Sequence, residues 1–167
     1  TPSEPKRDDT GYLGLDFDDD YAGPGLRIRA VLDDGPADGV PNGPTAGEYV
    51  HQVDGKPCDV PERLWETLRG MANRDVQVVV APVPPSDVKE PVAGLRTVTL
   101  RLIDRDVESR LRMAAREQAT ARRMAELSSG SVLYVRPGNF NPDELRRLSA
   151  AILTDRDGMR CIVMDLR

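Results

Sequence analysis

Few residues in this chain could serve as a nucleophile or a general base. The one histidine, His51, follows Tyr49 and Val50 in a strand-like segment with no Ser or Cys motif nearby, which favours a structural role over catalysis. The two cysteines, Cys58 and Cys161, lie far apart and show neither the spacing of a metal half-site nor a disulfide framework. We expect both to be buried thiols. No catalytic residue is predicted.

A short acidic segment could in principle bind a hard cation. Its carboxylates are Asp16, Asp18, Asp19 and Asp20. They lack the regular alternation and the closing Glu of a calcium-binding loop, and a solvated acidic turn is the commoner reason for such a cluster. We therefore predict neither a metal site nor a cofactor.

The segment GYLGLDF, residues 11–17, has the residue types of an anion-binding turn that leads into a strand. Gly14 permits a turn in which consecutive N–H groups converge on an anion, and the following strand edge can accept an extended peptide as an added strand. Apolar residues of the next helix would enclose the terminal side chain of that peptide. The predicted peptide-binding residues are Tyr12, Leu13, Gly14, Leu15, Asp16, Phe17, Leu64 and Leu68. The alternative is that Gly14 only relieves a tight strand start, in a module that acts as a scaffold.

Alternating apolar residues predict five strands in the part of the chain that positions this turn. They cover residues 11–17, 26–32, 48–53, 76–80 and 97–103. A helix is predicted at 60–71, where Asp59 as N-cap and Glu62 would form a capping box. The result is a small β-rich domain with one helix, interrupted by a loop rich in Gly and Pro at 33–47.

The composition changes sharply after residue 104. Residues 106–127 lack Gly and Pro and repeat apolar residues at helical spacing, which predicts a long connector helix. Residues 131–166 then have the pattern of a strand, a helix capped by Asn141 and a second, parallel strand. The predicted fold class is α+β, with a β-rich domain at 10–104, a connector helix at 105–129 and a partial β-α-β unit at 130–167. Such an unfinished sheet exposes strand edges, so self-association into a homo-oligomer is also expected.

The composition argues against two classes of partner. The formal charge is -5, from 23 basic and 28 acidic residues, whereas a nucleic-acid binder needs a basic surface to neutralise phosphates. No stretch approaches the roughly 20 consecutive apolar residues that a membrane span needs. Neither nucleic acid nor a membrane span is therefore predicted.

Several of these segments resemble one family. GYLGLDF resembles the GLGF-type carboxylate-binding loop of PDZ domains, and GEYVHQVDGKPC, residues 47–58, resembles the segment before the second helix of bacterial PDZ domains. With the carboxylate loop first and TVTLRLI last, the order is similar to that of the permuted PDZ domains of proteases. The connector helix and the segments GSVLYVRPGNFNPDELRRLSAAI and CIVMDLR resemble the start of the catalytic domain of tricorn-type and tail-specific serine peptidases.

The resemblance implies a permuted PDZ-like domain joined by the connector helix to the truncated N-terminal part of an α/β protease core. It implies that peptide or protein C-termini and the remainder of the protease core are the partners, with a structural scaffold or assembly module as the alternative. The implied parent is a serine endopeptidase or carboxy-terminal processing protease, whose catalytic serine this chain lacks, so the chain alone is expected to be inactive. A tricorn-type parent implies a cytoplasmic location, and a tail-specific parent a periplasmic or exported one.

Overall fold

The structure is a computed structural model that describes residues 9–85, 92–137, 141–153 and 159–166. Its helices and strands confirm the predicted α+β class. Along the chain they are β1 (Leu15–Phe17), β2 (Leu26–Val31), β3 (Tyr49–Val53), β4 (Lys56–Pro57), α1 (Pro61–Leu68), β5 (Asp75–Ala81), β6 (Arg96–Arg101), α2 (Arg105–Leu127), β7 (Val132–Val135), α3 (Pro142–Leu153) and β8 (Cys161–Met164). No described helix is both long and apolar enough to cross a bilayer.

The internal contacts divide the chain into two units, one ending at Arg112 and one beginning at Met113. The long helix α2 therefore contributes residues to both units. The domain boundaries expected from the sequence, near residues 104 and 129, are not the same as this division and stay predictions.

The first unit is built on an antiparallel sheet in the order β1-β2-β3-β5-β6, with β4 paired to the end of β3. Burial alternates along β2 and β5, as the alternation of apolar residues predicts for strands with one buried face. Helix α1 covers that face. Its residues Leu64 and Leu68 belong to the same apolar core as Leu13 and Leu15.

The capping box predicted for α1 is wrong. The helix begins at Pro61, and no side chain caps it. Proline at the first helical position has no N–H to satisfy and already has a helical φ. Asp59 instead accepts hydrogen bonds from Arg63 Nη1 at 2.7 and 2.8 Å. The helix ends at Leu68 and not at residue 71, just before Gly70 with its φ of +72°.

Arg96 on β6 holds the loop that is rich in Gly and Pro. Its Nη1 and Nη2 atoms each donate to one carboxylate oxygen of Glu48 at 2.7 Å. Its Nε donates to the Asn42 carbonyl oxygen and Nη2 to that of Gly43, both at 2.7 Å. The hydrogen bonds from Arg96 hold the pKa of Glu48 below its usual value. One planar side chain thus orders a segment that has no regular structure of its own.

The second unit contains the strand, helix and strand that the sequence predicts. β7 and β8 pair in parallel, with Val132 opposite Cys161 and Val135 opposite Met164. The Asn141 Oδ1 atom accepts a hydrogen bond from the Glu144 N–H at 2.8 Å, which confirms Asn141 as the N-cap of α3.

The two thiols lie in different environments. Cys58 is fully buried, and burial raises its pKa to about 11. Cys161 is exposed, so the expectation that both thiols are buried is wrong. The reason is that Cys161 lies on β8, which pairs only with β7 in the described sheet. Ile162, the next residue on β8, is also exposed.

We expect a disulfide reagent at about pH 8 to label one thiol per folded chain, because the thiolate is the reactive species and Cys58 is both buried and protonated. Cys161→Ser should remove the rapid labelling, whereas Cys58→Ser should leave it unchanged. The absorbance of the thiolate that the reagent releases measures the labelling. Denatured protein, in which both thiols should react, is the control. Rapid labelling of Cys161→Ser would contradict the assignment.

We expect Arg96→Lys to lower the free energy of unfolding by about 2 kcal/mol, since an ammonium cannot reproduce the fork that binds Glu48 and two carbonyl groups. Urea denaturation followed by circular dichroism measures the change. The matched control on the same strand is Arg101→Lys, because Arg101 and its partner Asp75 are mostly exposed. This control should stay within about 0.5 kcal/mol of the parent. Equal losses in both variants would refute the role of Arg96.

Candidate functional site

The turn at residues 12–15 is tied to two other parts of the first unit through its backbone. The N–H of Tyr12 donates to the Ile103 carbonyl oxygen at 2.9 Å, and the N–H of Ile103 donates back at 3.1 Å. The N–H of Gly11 donates to the Leu68 carbonyl oxygen, at the end of α1, at 2.9 Å. These bonds place the turn between the sheet and the C-terminal end of α1.

Gly14 is required by the shape of this turn. Its φ is +66°, and a Cβ at this position would lie 2.5 Å from Cδ of Pro36. Its carbonyl oxygen accepts a hydrogen bond from the Leu32 N–H at 2.9 Å, so the backbone cannot move away from that contact without losing the bond. Both the left-handed conformation and the close approach exclude a side chain here.

Two consecutive N–H groups of the turn have unused hydrogen-bonding capacity. Toward the residues that the structure describes, the N–H groups of Leu13 and Gly14 donate no hydrogen bond, although both residues are buried. Unpaired N–H groups are rare in buried residues. Two adjacent N–H groups, the second on a residue with positive φ, can bind an anion through the backbone alone.

Strand β1 is a terminal strand of the sheet, and Leu15 presents its backbone to the open side. Leu15 faces Val31 on β2, and the adjacent hydrogen bond runs from the Leu32 N–H to the Gly14 oxygen. In an antiparallel pair this pattern turns the N–H and C=O of Leu15 away from β2. The described residues place no strand on that side, but the Leu15 oxygen accepts a hydrogen bond from Arg112 Nη2 at 3.1 Å.

Asp16 sits between two arginines and is not a freely solvated carboxylate. Its Oδ1 accepts from Arg112 Nη1 and its Oδ2 from Arg29 Nε, both at 2.9 Å. Burial acts to raise the pKa of Asp16, but these hydrogen bonds outweigh it and hold the pKa below its usual value. Asp18 pairs with Arg27 at 3.4 Å. Within the described ranges, no group of three potential ligands is placed to hold a metal ion.

The helix side of the predicted groove is closed in this structure. Leu64 and Leu68 are each only 1% exposed and pack in the core. The rings of Tyr12 and Trp65 are in contact, with centroids 5.6 Å apart, and this contact joins the turn to α1. A ligand would have to displace packed side chains to touch either leucine, so their role in lining a pocket stays a prediction. Phe17, at the other end of β1, is half-buried against the core.

His51 has a structural partner. Its Nε2 lies 2.8 Å from the Val83 carbonyl oxygen. Because a carbonyl oxygen only accepts, Nε2 carries the proton in this bond. The contact supports the structural role that the sequence favours.

Arg112 and Glu108 belong to the site but were not predicted for it. Their spacing of four residues indicates a pair on one face of α2, and Arg112 Nε does donate to Glu108 Oε1 at 2.8 Å. Nothing in that spacing predicts that this pair lies near β1, because Arg112 and Asp16 are 96 residues apart in sequence.

Substitution by alanine tests whether Gly14 supports the turn. Gly70→Ala introduces a side chain at a similar positive φ but in open space, and should cost about 1 kcal/mol. Gly14→Ala adds a collision with Pro36, so we expect a loss of about 2–4 kcal/mol in the free energy of unfolding. Chemical denaturation of both variants measures the difference. Equal losses would show that the contact with Pro36 is not tight.

No protein-family model and no curated protein matches the sequence of this chain. Among solved structures, tricorn protease aligns with 94% of this chain at 15% identity and a TM-score of 0.63, and the chain spans only 15% of that protein. The photosystem II D1 C-terminal processing protease aligns with 57% of this chain, over 23% of its own length, at 25% identity and a TM-score of 0.42. The PDZ domain of a carboxy-terminal protease from Vibrio cholerae, in complex with peptide, aligns with 56% of this chain and 94% of its own at 16% identity and a TM-score of 0.39. The resemblance predicted from the sequence is thus confirmed at the level of the fold, which this chain shares with a segment of tricorn protease.

Proposed function

We propose that the first unit is a PDZ-like module whose turn at residues 12–15 receives the C-terminal carboxylate of a peptide. The observation that carries the proposal is the pair of N–H groups, on Leu13 and Gly14, that donate to no described residue. They lie directly before the open edge of β1. Converging N–H groups stabilise an anion without a basic side chain, so the site would bind the charge common to every chain end.

The rest of the peptide would add to the sheet as a strand beside β1. The N–H and C=O of Leu15 face the open side and are the first groups that such a strand would use. Main-chain pairing gives affinity that depends little on sequence. An apolar terminal side chain would bind best, because it could replace the packed side chains that now cover Leu64 and Leu68. Because a short peptide buries little area and loses freedom on binding, the dissociation constant should be micromolar or weaker.

The proposal extends to the parent protein. The fold shared with tricorn protease supports a larger serine protease, an endopeptidase or a carboxy-terminal processing enzyme, in which this chain orients substrate peptides and contributes no catalytic residue. In this proposal the first unit is a permuted PDZ domain, and β7, α3 and β8 begin a protease core whose remainder is a partner. Exposed apolar residues on β8, such as Ile162 and Met164, support self-association of the isolated chain.

A second candidate function is a structural scaffold that orients or assembles the protease and binds no peptide. It is favoured by the burial of Leu64 and Leu68 and by the contact between Tyr12 and Trp65, which together close the helix side of the turn among the described residues. A cavity of about 660 Å³ does exist on the loop that Arg96 holds, but none of the predicted peptide-binding residues lines it.

A titration with matched peptides separates the two functions. We expect a short peptide ending in valine with a free carboxylate to shift the amide signals of residues 12–17 in NMR spectra. The same peptide with an amidated C-terminus should bind at least about tenfold more weakly, because the turn then loses a charge-assisted acceptor. Equal shifts with both peptides, or shifts confined to other residues, would reject carboxylate binding and favour the scaffold.

A further inference from the structure

We propose that the Arg112 side chain is an intrachain plug of the β1 edge, so that a peptide pairs with Leu15 only in competition with it. This inference rests on the proposed function and concerns the regulation of the same groove. Its starting point is the hydrogen bond from Arg112 Nη2 to the Leu15 carbonyl oxygen at 3.1 Å.

The position of this bond matters more than its strength. Leu15 turns its N–H and C=O to the open side of β1, whereas the neighbouring Gly14 oxygen is bonded to Leu32 on the β2 side. An added strand would therefore donate its first N–H to the Leu15 oxygen. Arg112 already donates to that atom, and its guanidinium lies in the space that the backbone of an added strand would enter.

The guanidinium is held in place by contacts on all three nitrogens. Besides the bond to Leu15, Nη1 donates to Asp16 Oδ1 at 2.9 Å and Nε donates to Glu108 Oε1 at 2.8 Å. Asp16 is itself fixed by Arg29 on β2. The guanidinium is thus bonded to Glu108 on its own helix, α2, and to Leu15 and Asp16 on the strand that it covers.

The local charge favours a plug over an anion-binding arm. The two guanidinium groups, on Arg29 and Arg112, are balanced by the carboxylates of Asp16 and Glu108, so the cluster has no formal excess of positive charge. A peptide carboxylate arriving at the turn would meet an arginine whose charge is already neutralised. Arg112 therefore obstructs the edge without contributing a free cation to the ligand.

Glu108 makes the plug difficult to remove. Its side chain is buried, its Oε2 has no hydrogen-bond partner among the described residues, and Arg112 is the partner of its Oε1. Complete departure of Arg112 would leave a buried carboxylate without any partner, which is strongly unfavourable. The contact that a peptide must replace is the bond to Leu15, while the pair with Glu108 anchors the side chain at its base.

The test measures how the same valine-terminated free-acid peptide binds to chains with and without the plug. Arg112→Met removes all three donors and keeps much of the apolar stem. Because the single change leaves Glu108 unpaired, the double variant Arg112→Met with Glu108→Met is made as well, and NMR dispersion and thermal melting establish that each is folded.

The matched control is Arg110→Met, since Arg110 is exposed on the same helix. Loss of one competing hydrogen bond should tighten peptide binding about three- to tenfold in the Arg112 variants and leave the control unchanged.

The outcomes separate this inference from the proposed function. Tighter binding after removal of Arg112, or binding that is detectable only then, supports the plug. If the parent chain binds the peptide but the folded Arg112 variants bind it equally or more weakly, the plug is refuted while carboxylate binding stands. The plug is likewise refuted if the signals of the Arg112 Nη groups do not move when the parent chain is saturated with peptide, because the bond to Leu15 is then intact. If no folded variant binds the free-acid peptide, both proposals fail.

Discussion

The backbone pair between Tyr12 and Ile103 is the constraint on which the arrangement of the first unit depends. It joins the residues before β1 to the residues after β6, and so connects the two terminal strands of the sheet. It also sets the point from which α2 leaves. Asp104 follows Ile103 directly and caps α2 through a hydrogen bond from the Val107 N–H to its Oδ1 at 2.9 Å. About two turns further along the helix, Arg112 reaches β1 through its hydrogen bonds to Asp16 and Leu15.

The candidate site depends on backbone groups and on charge pairing, and not on nucleophilic side chains. The groups proposed to bind an anion are the N–H groups of Leu13 and Gly14, which donate to no described residue. An edge strand that is open to a ligand is also open to unwanted pairing, and proteins commonly protect such edges with charged side chains. Arg112 is a charged side chain of this kind at the β1 edge, because it donates a hydrogen bond to the Leu15 oxygen, which no described strand pairs with.

The second unit shows how little a two-stranded parallel sheet can bury by itself. Leu148 and Val135 are buried, but Ile162 and Met164 are 37% and 41% exposed. Parallel strands normally have both faces covered, and their side chains are correspondingly apolar. β7 and β8 have that apolar composition, but the described residues leave Ile162 and Met164 accessible.

The local features of this protein were determined by its sequence alone. Alternation of apolar residues predicted β2 and β5, the helical spacing after residue 104 predicted α2, Asn141 predicted the start of α3, and Gly14 predicted the turn before β1. Each depends on side-chain period or backbone stereochemistry within a few residues. Where two local signals competed, as at Asp59 and Pro61, the choice between them was not evident from the pattern.

The tertiary structure decided which distant groups meet. The contact of Arg112 with Asp16 spans 96 residues, and no local pattern could indicate it, because a charged helix face is equally compatible with solvent. The same holds for the bond network by which Arg96 orders its loop and for the burial of Leu64 and Leu68 behind the turn. Burial and ion pairing depend on what the fold brings alongside a residue, whereas secondary structure depends mainly on its neighbours in the chain.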